Sequence, residues 1–415
     1  MLSKIMRNIY DIRKEKQLQF IFSTEHSQFV PPQELLQSCA VVVNLYYTEK
    51  VNWYSTYLNG IPEEITLYIF SSKEETLEQA GKYCSHKNTF LIKKENRGRD
   101  ISALLVAFQP YIDQYEYICF IHDKKERKPW LKKDTDIWNK NLWGNMIATK
   151  DYIYNVLHLF ETNSQLGMIF PPEPIGEYFT AWFYAPWMDN LENCLELAKR
   201  LNLSADISEA KPSISHGSVF WTRRNAVSKL FHINWEYKDF PKEPMPLDFT
   251  ISHAIERIFG FVAQDAGYDV GTVMTEQYAS WLLLFLQDYF RQMFLEVSNR
   301  MGADNLGQFR VLSMQKERIF RYVRAHSEVF LYGAGRCGES LLQMLREEGV
   351  EPAGFIVTDK EQNPEFIKGL KVYGLKELGA RAAGIILTVY FPLQEEMLQE
   401  LERNGIHDFI ILYEE

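Results

Sequence analysis

The chain has 415 residues, enough for two or three domains, and its 46% hydrophobic and 24% charged content excludes intrinsic disorder. A net charge of −10 excludes the basic footprint that general nucleic-acid binding requires. The five cysteines are scattered without zinc spacing, which fits a reducing compartment.

The opening residues MLSKIMRNIYDIRKEKQ carry charge but no apolar core, so they do not read as a secretory signal. Residues 1–38 are expected to form an N-terminal helical extension. Strand-like runs follow at 40–47 (AVVVNLYY), 65–72 (ITLYIFSS), 88–94 (NTFLIKK) and 116–122 (EYICFIH), separated by helix-length segments. This alternation predicts an α/β fold: a Rossmann-type, parallel-dominated sheet with helices on both faces. Ligands of such sheets sit beyond the carboxyl ends of the strands. Asn44, Ser71, the stretch from Asn96 to Asp100, and the stretch from His122 to Lys125 fall there.

In ENRGRDISALL (95–105), Asp100 or Ser102 suits a helix cap, Gly98 lets backbone approach a ligand, and Arg97 and Arg99 suit a phosphate. The plainer reading is a capped loop with surface arginines. In CFIHDKKER (119–127) one acid, Asp123, stands between His122 and the cations Lys124 and Lys125. A solvated charged turn is the common fate of such a run. Further on, Asp248 precedes a helix carrying His253 and Glu256, where it would serve as a general base or simply as the helix cap. SISHGSVFWTRRN places His216, Gly217 and Trp221 either along an acceptor site or in a core strand, and Trp182 and Trp187 are further stacking candidates.

Trp281 to Leu286 is apolar but far short of the roughly 18 residues a membrane span needs. A cytoplasmic protein is therefore expected, with at most peripheral contact with the inner membrane or with assembly enzymes. From Gln277 to about His326 the pattern is helical, with its break at 301–307. The first domain is expected over 39–300, a helical linker over 301–327, and a second, smaller Rossmann-like domain over 328–415. The last contains VFLYGAGRCGESLL: Gly333, Gly335 and Gly338 lie between a strand and a helix, and Asp359 follows about 20 residues on. That order is open to a nucleotide ligand or to a purely structural module.

ENRGRDISALL…YICFIHDKKE, with LGMIFPPEP (166–174), HGSVFWTRRNAVSKL (216–230) and LDFTISHAIERI (247–258), resembles the rhamnan synthesis F family over about residues 35–275. The first pair of motifs also resembles the nucleotide-sugar half of GT-A glycosyltransferases. The resemblance implies inverting transfer of a sugar, L-rhamnose being one candidate, from a nucleotide donor to a glycan or lipid-linked glycan of the cell surface. It implies donor contacts from Asn44, Asn96, Arg97, Gly98, Arg99, Asp100, His122, Asp123, Lys124 and Lys125. It implies Asp248 as the base and His216, Gly217, Trp221 and His253 toward the acceptor. Most GT-A enzymes hold a divalent cation with an Asp-x-Asp pair; here the second acid is missing, so fixed cations are favoured over Mg²⁺ or Mn²⁺. The rival functions are an NAD-dependent sugar oxidoreductase and a non-catalytic scaffold of a polysaccharide assembly complex.

Overall fold

Three of the early runs are continuously apolar through their centres, which suits strands covered on both faces. In the computed structural model, β2 (Cys39–Asn44), β3 (Thr66–Ser71) and β5 (Tyr117–His122) are buried throughout. Successive side chains serve opposite faces. Val41, Val43, Leu67, Ile69, Cys119 and Ile121 enter one core, and Ala40, Val42, Tyr68, Phe70, Ile118 and Phe120 enter the other. The structure describes residues 18–126, 129–174, 187, 190–207, 217–246, 248–301, 306–378, 383–389 and 393–412.

Five more strands complete the first sheet: β1 (Leu18–Phe22), β4 (Thr89–Lys93), β6 (Leu166–Phe170), β7 (Phe220–Arg223) and β8 (Asp269–Thr275). The order is β1-β8-β6-β7-β5-β2-β3-β4. Only β7 runs antiparallel to its neighbours. Helices α1 (Val51–Leu58), α2 (Glu74–Tyr83), α3 (Lys132–Ile147) and α4 (Lys150–Thr162) bury their apolar sides in the first core. α5 (Leu191–Arg200) and α6 (Ile251–Asp265) bury theirs in the second. The sheet is therefore mixed α/β and mostly parallel, with helices on both faces, as expected. One expectation fails: residues 18–22, placed in a helical extension, form β1 at the sheet edge, paired parallel with β8. Its partner is contributed from the far end of the domain, so nothing local announces it.

The chain steps outward from β2 through β3 to β4, then returns to lay β5 on the other side of β2. The C-terminal ends of β2 and β5 thus flank the point where strand order reverses, which is where open α/β sheets leave a crevice.

Two helices follow, α7 (Glu276–Met301) and α8 (Leu306–Ala325), and the boundary between the two structural units falls inside α7, between Leu283 and Leu284. The second unit has strands β9 (Val329–Tyr332), β10 (Gly354–Val357), β11 (Phe366–Ile367), β12 (Leu370–Gly374), β13 (Gly384–Leu387) and β14 (Phe409–Ile411). They form a second sheet in the order β11-β12-β10-β9-β13-β14, parallel except for β11. α9 (Arg336–Glu347) connects β9 to β10, and α10 (Leu393–Arg403) lies between β13 and β14.

Arg223 anchors the antiparallel strand. Its guanidinium donates to Leu166 O (3.0 Å), the Tyr117 hydroxyl (2.7 Å) and Phe160 O (2.6 Å), and Tyr117 donates onward to Glu161 (2.7 Å). Hydrogen bonds from a charged donor contribute about 1.5–3 kcal/mol each, and their loss here strands carbonyls in a half-buried place. Arg223→Met keeps the stem and removes every donor. It should cost about 3 kcal/mol in urea unfolding, and a loss below about 0.5 kcal/mol would show the network to be incidental.

Candidate functional site

β5 delivers His122 and then Asp123 to the crevice. Asp123 is buried, and its Oδ2 accepts the backbone N–H groups of Tyr46 (2.8 Å) and Tyr47 (2.7 Å), while its own N–H donates to Asn44 O (3.2 Å). One carboxylate therefore fastens the chain leaving β2 to the chain leaving β5. Asn44 is buried beside His122 in the strand register. Burial raises the Asp123 carboxyl to about 6, against the pull of the two N–H groups and of His122. The next peptide is held as firmly: Lys124 N–H donates to the Tyr54 hydroxyl (3.1 Å), and Asn139 Nδ2 donates to Lys124 O (3.0 Å). The Lys124 ammonium lies 4.2 Å from the Trp138 ring centroid.

His122 is buried with both ring nitrogens facing backbone carbonyls, Nδ1 toward Asp123 O (3.0 Å) and Nε2 toward Gly217 O. Carbonyl oxygens only accept, so the ring donates to backbone and its orientation is fixed from both sides. Asp100 Oδ2 lies 3.5 Å from Nε2. Asp100 reaches this place through a left-handed turn, with φ of 72° at Gly98 and 45° at Arg99. A Cβ on Gly98 would meet Phe240 Cγ at 2.6 Å and Ser102 Cβ at 2.8 Å, so only glycine fits. Burial alone would raise the Asp100 carboxyl; His122, Lys124, its own backbone N–H and Arg99 outweigh it and hold the group below its ordinary value.

Gly217 joins this cluster to α6. Its carbonyl takes His122 and its N–H donates to Glu256 Oε1 (2.8 Å), with φ of 95° there and 54° at Ser218. At the start of α6, Thr250 is the cap, sharing a reciprocal box with His253 (Thr250 Oγ1 to His253 Nδ1, 2.8 Å). The cap reading of Asp248 is thereby replaced. Asp248 Oδ1 instead accepts from Asn190 Nδ2 (2.7 Å) and lies 3.9 Å from His253 Nδ1. Burial lowers the His253 imidazolium despite the carboxylates of Glu256 and Asp248, with Arg257 and Arg99 acting in the same direction as burial. Between Asp248 and Thr250 stands Phe249, 61% exposed and at φ 63°, a costly conformation for a bulky residue.

Gly98, Arg99, Asp100, His122, Asp123, Lys124 and Gly217 thus belong to one connected cluster, which Glu256 ties to α6; Asp248 and His253 stand at the start of that helix. Other sequence candidates lie elsewhere. Trp221 is fully buried in β7 with its indole N–H on Met146 O (2.9 Å), so it packs the core and cannot stack on a sugar. Trp187 is likewise buried, stacked on Phe261. The Arg97 guanidinium donates to Phe240 O (2.5 Å) and Lys238 O (2.7 Å), acting as a strut beside an open cavity of about 390 Å³ lined by Glu95, Val106, Trp235 and Tyr237. Lys125 pairs with exposed Glu49, and exposed Asn96 accepts from Ser72 Oγ (3.3 Å). His216 and Trp182 lie outside the described residues.

Sequence reading missed one support and left the role of another open. Buried Lys94 donates from Nζ to Ser102 Oγ (2.9 Å) and Glu95 O (2.9 Å), and burial pushes its ammonium down to about 8. Glu256 clamps Gly217; the only available signal was its place three residues after His253 on the helix. In the second unit, Gly333 (φ 118°) and Gly338 are demanded by packing, since a Cβ would meet Thr388 Oγ1 at 2.8 Å and Gly333 O at 2.1 Å respectively. Gly335 faces open space, and Asp359 caps its own turn by accepting from Glu361 N–H (3.0 Å) and Gln362 Nε2 (2.8 Å).

The site poorly suits a divalent cation. Asp123 Oδ2 is already taken by two N–H groups, both ring nitrogens of His122 face backbone carbonyls, and among the described residues no three His, Cys, Asp or Glu side chains are grouped to hold a metal ion.

The raised Asp123 carboxyl fixes a sign. Between its ordinary value of about 3.9 and about 6, the folded chain binds a proton that the unfolded chain does not. This group therefore favours folding as pH falls and withdraws that support as pH rises through 6. Asp100, held low, acts in the opposite sense only at and below its ordinary value. From pH 7 to pH 5 the wild type should gain roughly 1 kcal/mol from Asp123 in urea unfolding, and Asp123→Asn should lose that gain. An identical pH slope in both proteins would contradict it.

Residues 2–268 match the family described as Rhamnan synthesis protein F. Two curated relatives, each called "Uncharacterized protein WxcX", come from Xanthomonas campestris pv. campestris strains B100 and ATCC 33913. Each is 25% identical over 183 residues, which is 43% of this chain and 24% of the relative's length. Among the described residues no helix is long and apolar enough to cross a membrane.

Proposed function

The chain belongs to the rhamnan synthesis protein F family, and from that premise we propose that it is a glycosyltransferase of polysaccharide synthesis, moving a sugar such as L-rhamnose from a nucleoside diphosphate donor to a growing cell-surface glycan or its lipid-linked precursor. The observation that carries this reading is the connected cluster at the switch point, where donor-side residues of the β4 and β5 ends meet Asp248 and His253 of the α6 start. The donor diphosphate lies over the loop from Gly98 to Asp100 and the turn from His122 to Lys124. The acceptor hydroxyl comes in beside Asp248.

In the proposed step, the acceptor oxygen forms a bond to the anomeric carbon as its proton passes to Asp248. The bond from that carbon to the phosphate oxygen breaks, and the electron pair leaves with the nucleoside diphosphate. One displacement inverts the anomeric carbon and needs one base. Lys124 and Arg99 supply fixed positive charge toward the leaving group, while Asp100 and Asp123 keep the donor-free crevice from being a bare cluster of cations. Asn190 aims the Asp248 carboxylate by holding one of its oxygens and leaving the other for the proton. The open position over Gly335 is assigned, within the same proposal, an accessory nucleotide role.

Asp248→Asn should keep the fold and nucleoside diphosphate affinity but lower transfer roughly 100- to 10,000-fold. Near-normal turnover in a radiolabelled transfer assay would reduce Asp248 to a structural partner of Asn190. Turnover should also persist in EDTA, because the crevice holds its own cations. Complete loss in EDTA with recovery on adding Mn²⁺ or Mg²⁺ would contradict that part of the mechanism.

A further inference from the structure

A lysine seldom lies inside a protein, because taking an ammonium out of water is costly. Lys94, the residue after β4, does so at 7% exposed. Its Nζ donates to Glu95 O (2.9 Å) and to the hydroxyl of fully buried Ser102 (2.9 Å). That hydroxyl has one proton, and it is shared between Arg97 O and Arg99 O (3.1 Å). The Ser102 N–H donates to Gly98 O (3.0 Å), so one serine holds three consecutive carbonyls of the left-handed turn, with Lys94 behind it. The carboxylates facing Lys94 come from three segments: Asp100 from the turn, Glu243 from the chain after Phe240, and Glu95 from its own stretch. The Tyr237 ring centroid lies 5.8 Å away, and Glu243 is shared with Arg99 (3.0 Å). Burial outweighs the three carboxylates and brings the ammonium down to about 8. A nucleophilic role does not fit an amine so enclosed. Methionine would fill the same space without the cost of burying charge, so the charge serves more than packing.

We propose that Lys94 is the positioning residue of the loop from Arg97 to Asp100: it sets the loop carbonyls through Ser102, its charge offsets Asp100 and Glu243, and the loop's affinity for a diphosphate falls when it loses its proton. This rests on the reading that a nucleoside diphosphate lies over that loop. Asp100 and Glu243 would repel such an anion, and a protonated Lys94 counters them. A hydrogen bond from an ammonium is also stronger than one from a neutral amine, so the hold on Ser102 weakens with the charge. Arg97 cannot stand in, because its guanidinium is committed to Phe240 O and Lys238 O. A bound diphosphate favours the charged lysine, so the complex keeps its proton to higher pH than the free chain does. Binding therefore takes up a proton as pH rises through 8, and it weakens above that. Asp123, at about 6, and His253, held below its ordinary value, titrate below this window. So does a terminal phosphate, which loses its last proton at about pH 6.

Calorimetric titration of the full chain with dTDP at about pH 7 and about pH 9 tests the proposal. Wild-type affinity should fall about tenfold between them, because a group titrating at about 8 is roughly nine-tenths protonated at the lower pH and roughly one-tenth at the higher. At about pH 8, buffers of different ionisation heat should reveal roughly half a proton taken up. Lys94→Met should bind more weakly at the lower pH, take up no proton and show no fall. Ser102→Ala should also weaken binding, and the double variant should lose less than the two single losses combined, because Lys94 acts through Ser102. A wild type whose affinity is level across this range, or a Lys94→Met variant that keeps the fall, would overturn the proposal. Hydrogen–deuterium exchange without ligand separates the loop's support from the donor reading. Peptides covering 95–103 should exchange at least about tenfold faster in both single variants, while those covering β2 and β3 stay unchanged and report an intact fold. A wild type that binds no dTDP would refute the donor reading and the affinity claim with it. Unchanged exchange at 95–103 would refute the hold of Lys94 on the loop.

Discussion

Two backbone N–H groups, from Tyr46 and Tyr47, end on one oxygen of Asp123. That contact binds the ends of β2 and β5 across the place where the strand order reverses. Sheet topology opens a crevice there, and this carboxylate ties together the two segments that leave the sheet beside it. Tyr54 and Asn139 then hold the following peptide at Lys124, so the turn after β5 is anchored residue by residue. The cost is a buried acid whose carboxyl is raised to about 6. Such a cost is common where geometry serves a site more than stability.

Charge in the crevice is arranged as opposed pairs. Asp100 faces His122, Lys124 lies over Trp138, and Arg99 is tied to Glu243. A diphosphate entering this crevice would meet cations already held in place, which lowers the reorganisation needed when a leaving group gains charge. The sequence shows one acid after β5, yet Asp100 acts on Asp123 through space. The second carboxylate is thus supplied by the loop after β4, three strands away in the sheet, and it faces the His122 ring.

Much of the fold was legible because β2, β3 and β5 have continuous apolar centres and are separated by helix-length segments. β1 was not, because a lone edge strand takes its meaning from β8, which lies at the other end of the domain. The site was legible where strand ends carry polar residues, as at His122 and Asp123. It was illegible where a side chain's use depends on what packs opposite. Arg97 looks like a phosphate ligand until the carbonyls of Lys238 and Phe240 are placed against it. Trp221 looks like a sugar platform until β7 is seen between β5 and β6. Glu256 matters only because Gly217 is brought to it from 39 residues away.

The central claim is that a nucleoside diphosphate binds at the switch point of the first sheet. Hydrogen–deuterium exchange of the full chain with and without dTDP measures this directly. Slowed exchange should appear in peptides covering 44–50, 95–103 and 121–126, and Asp123→Ala should abolish it. Protection confined to the 332–338 loop and its neighbours in the second unit, with the first sheet unchanged, would contradict the claim.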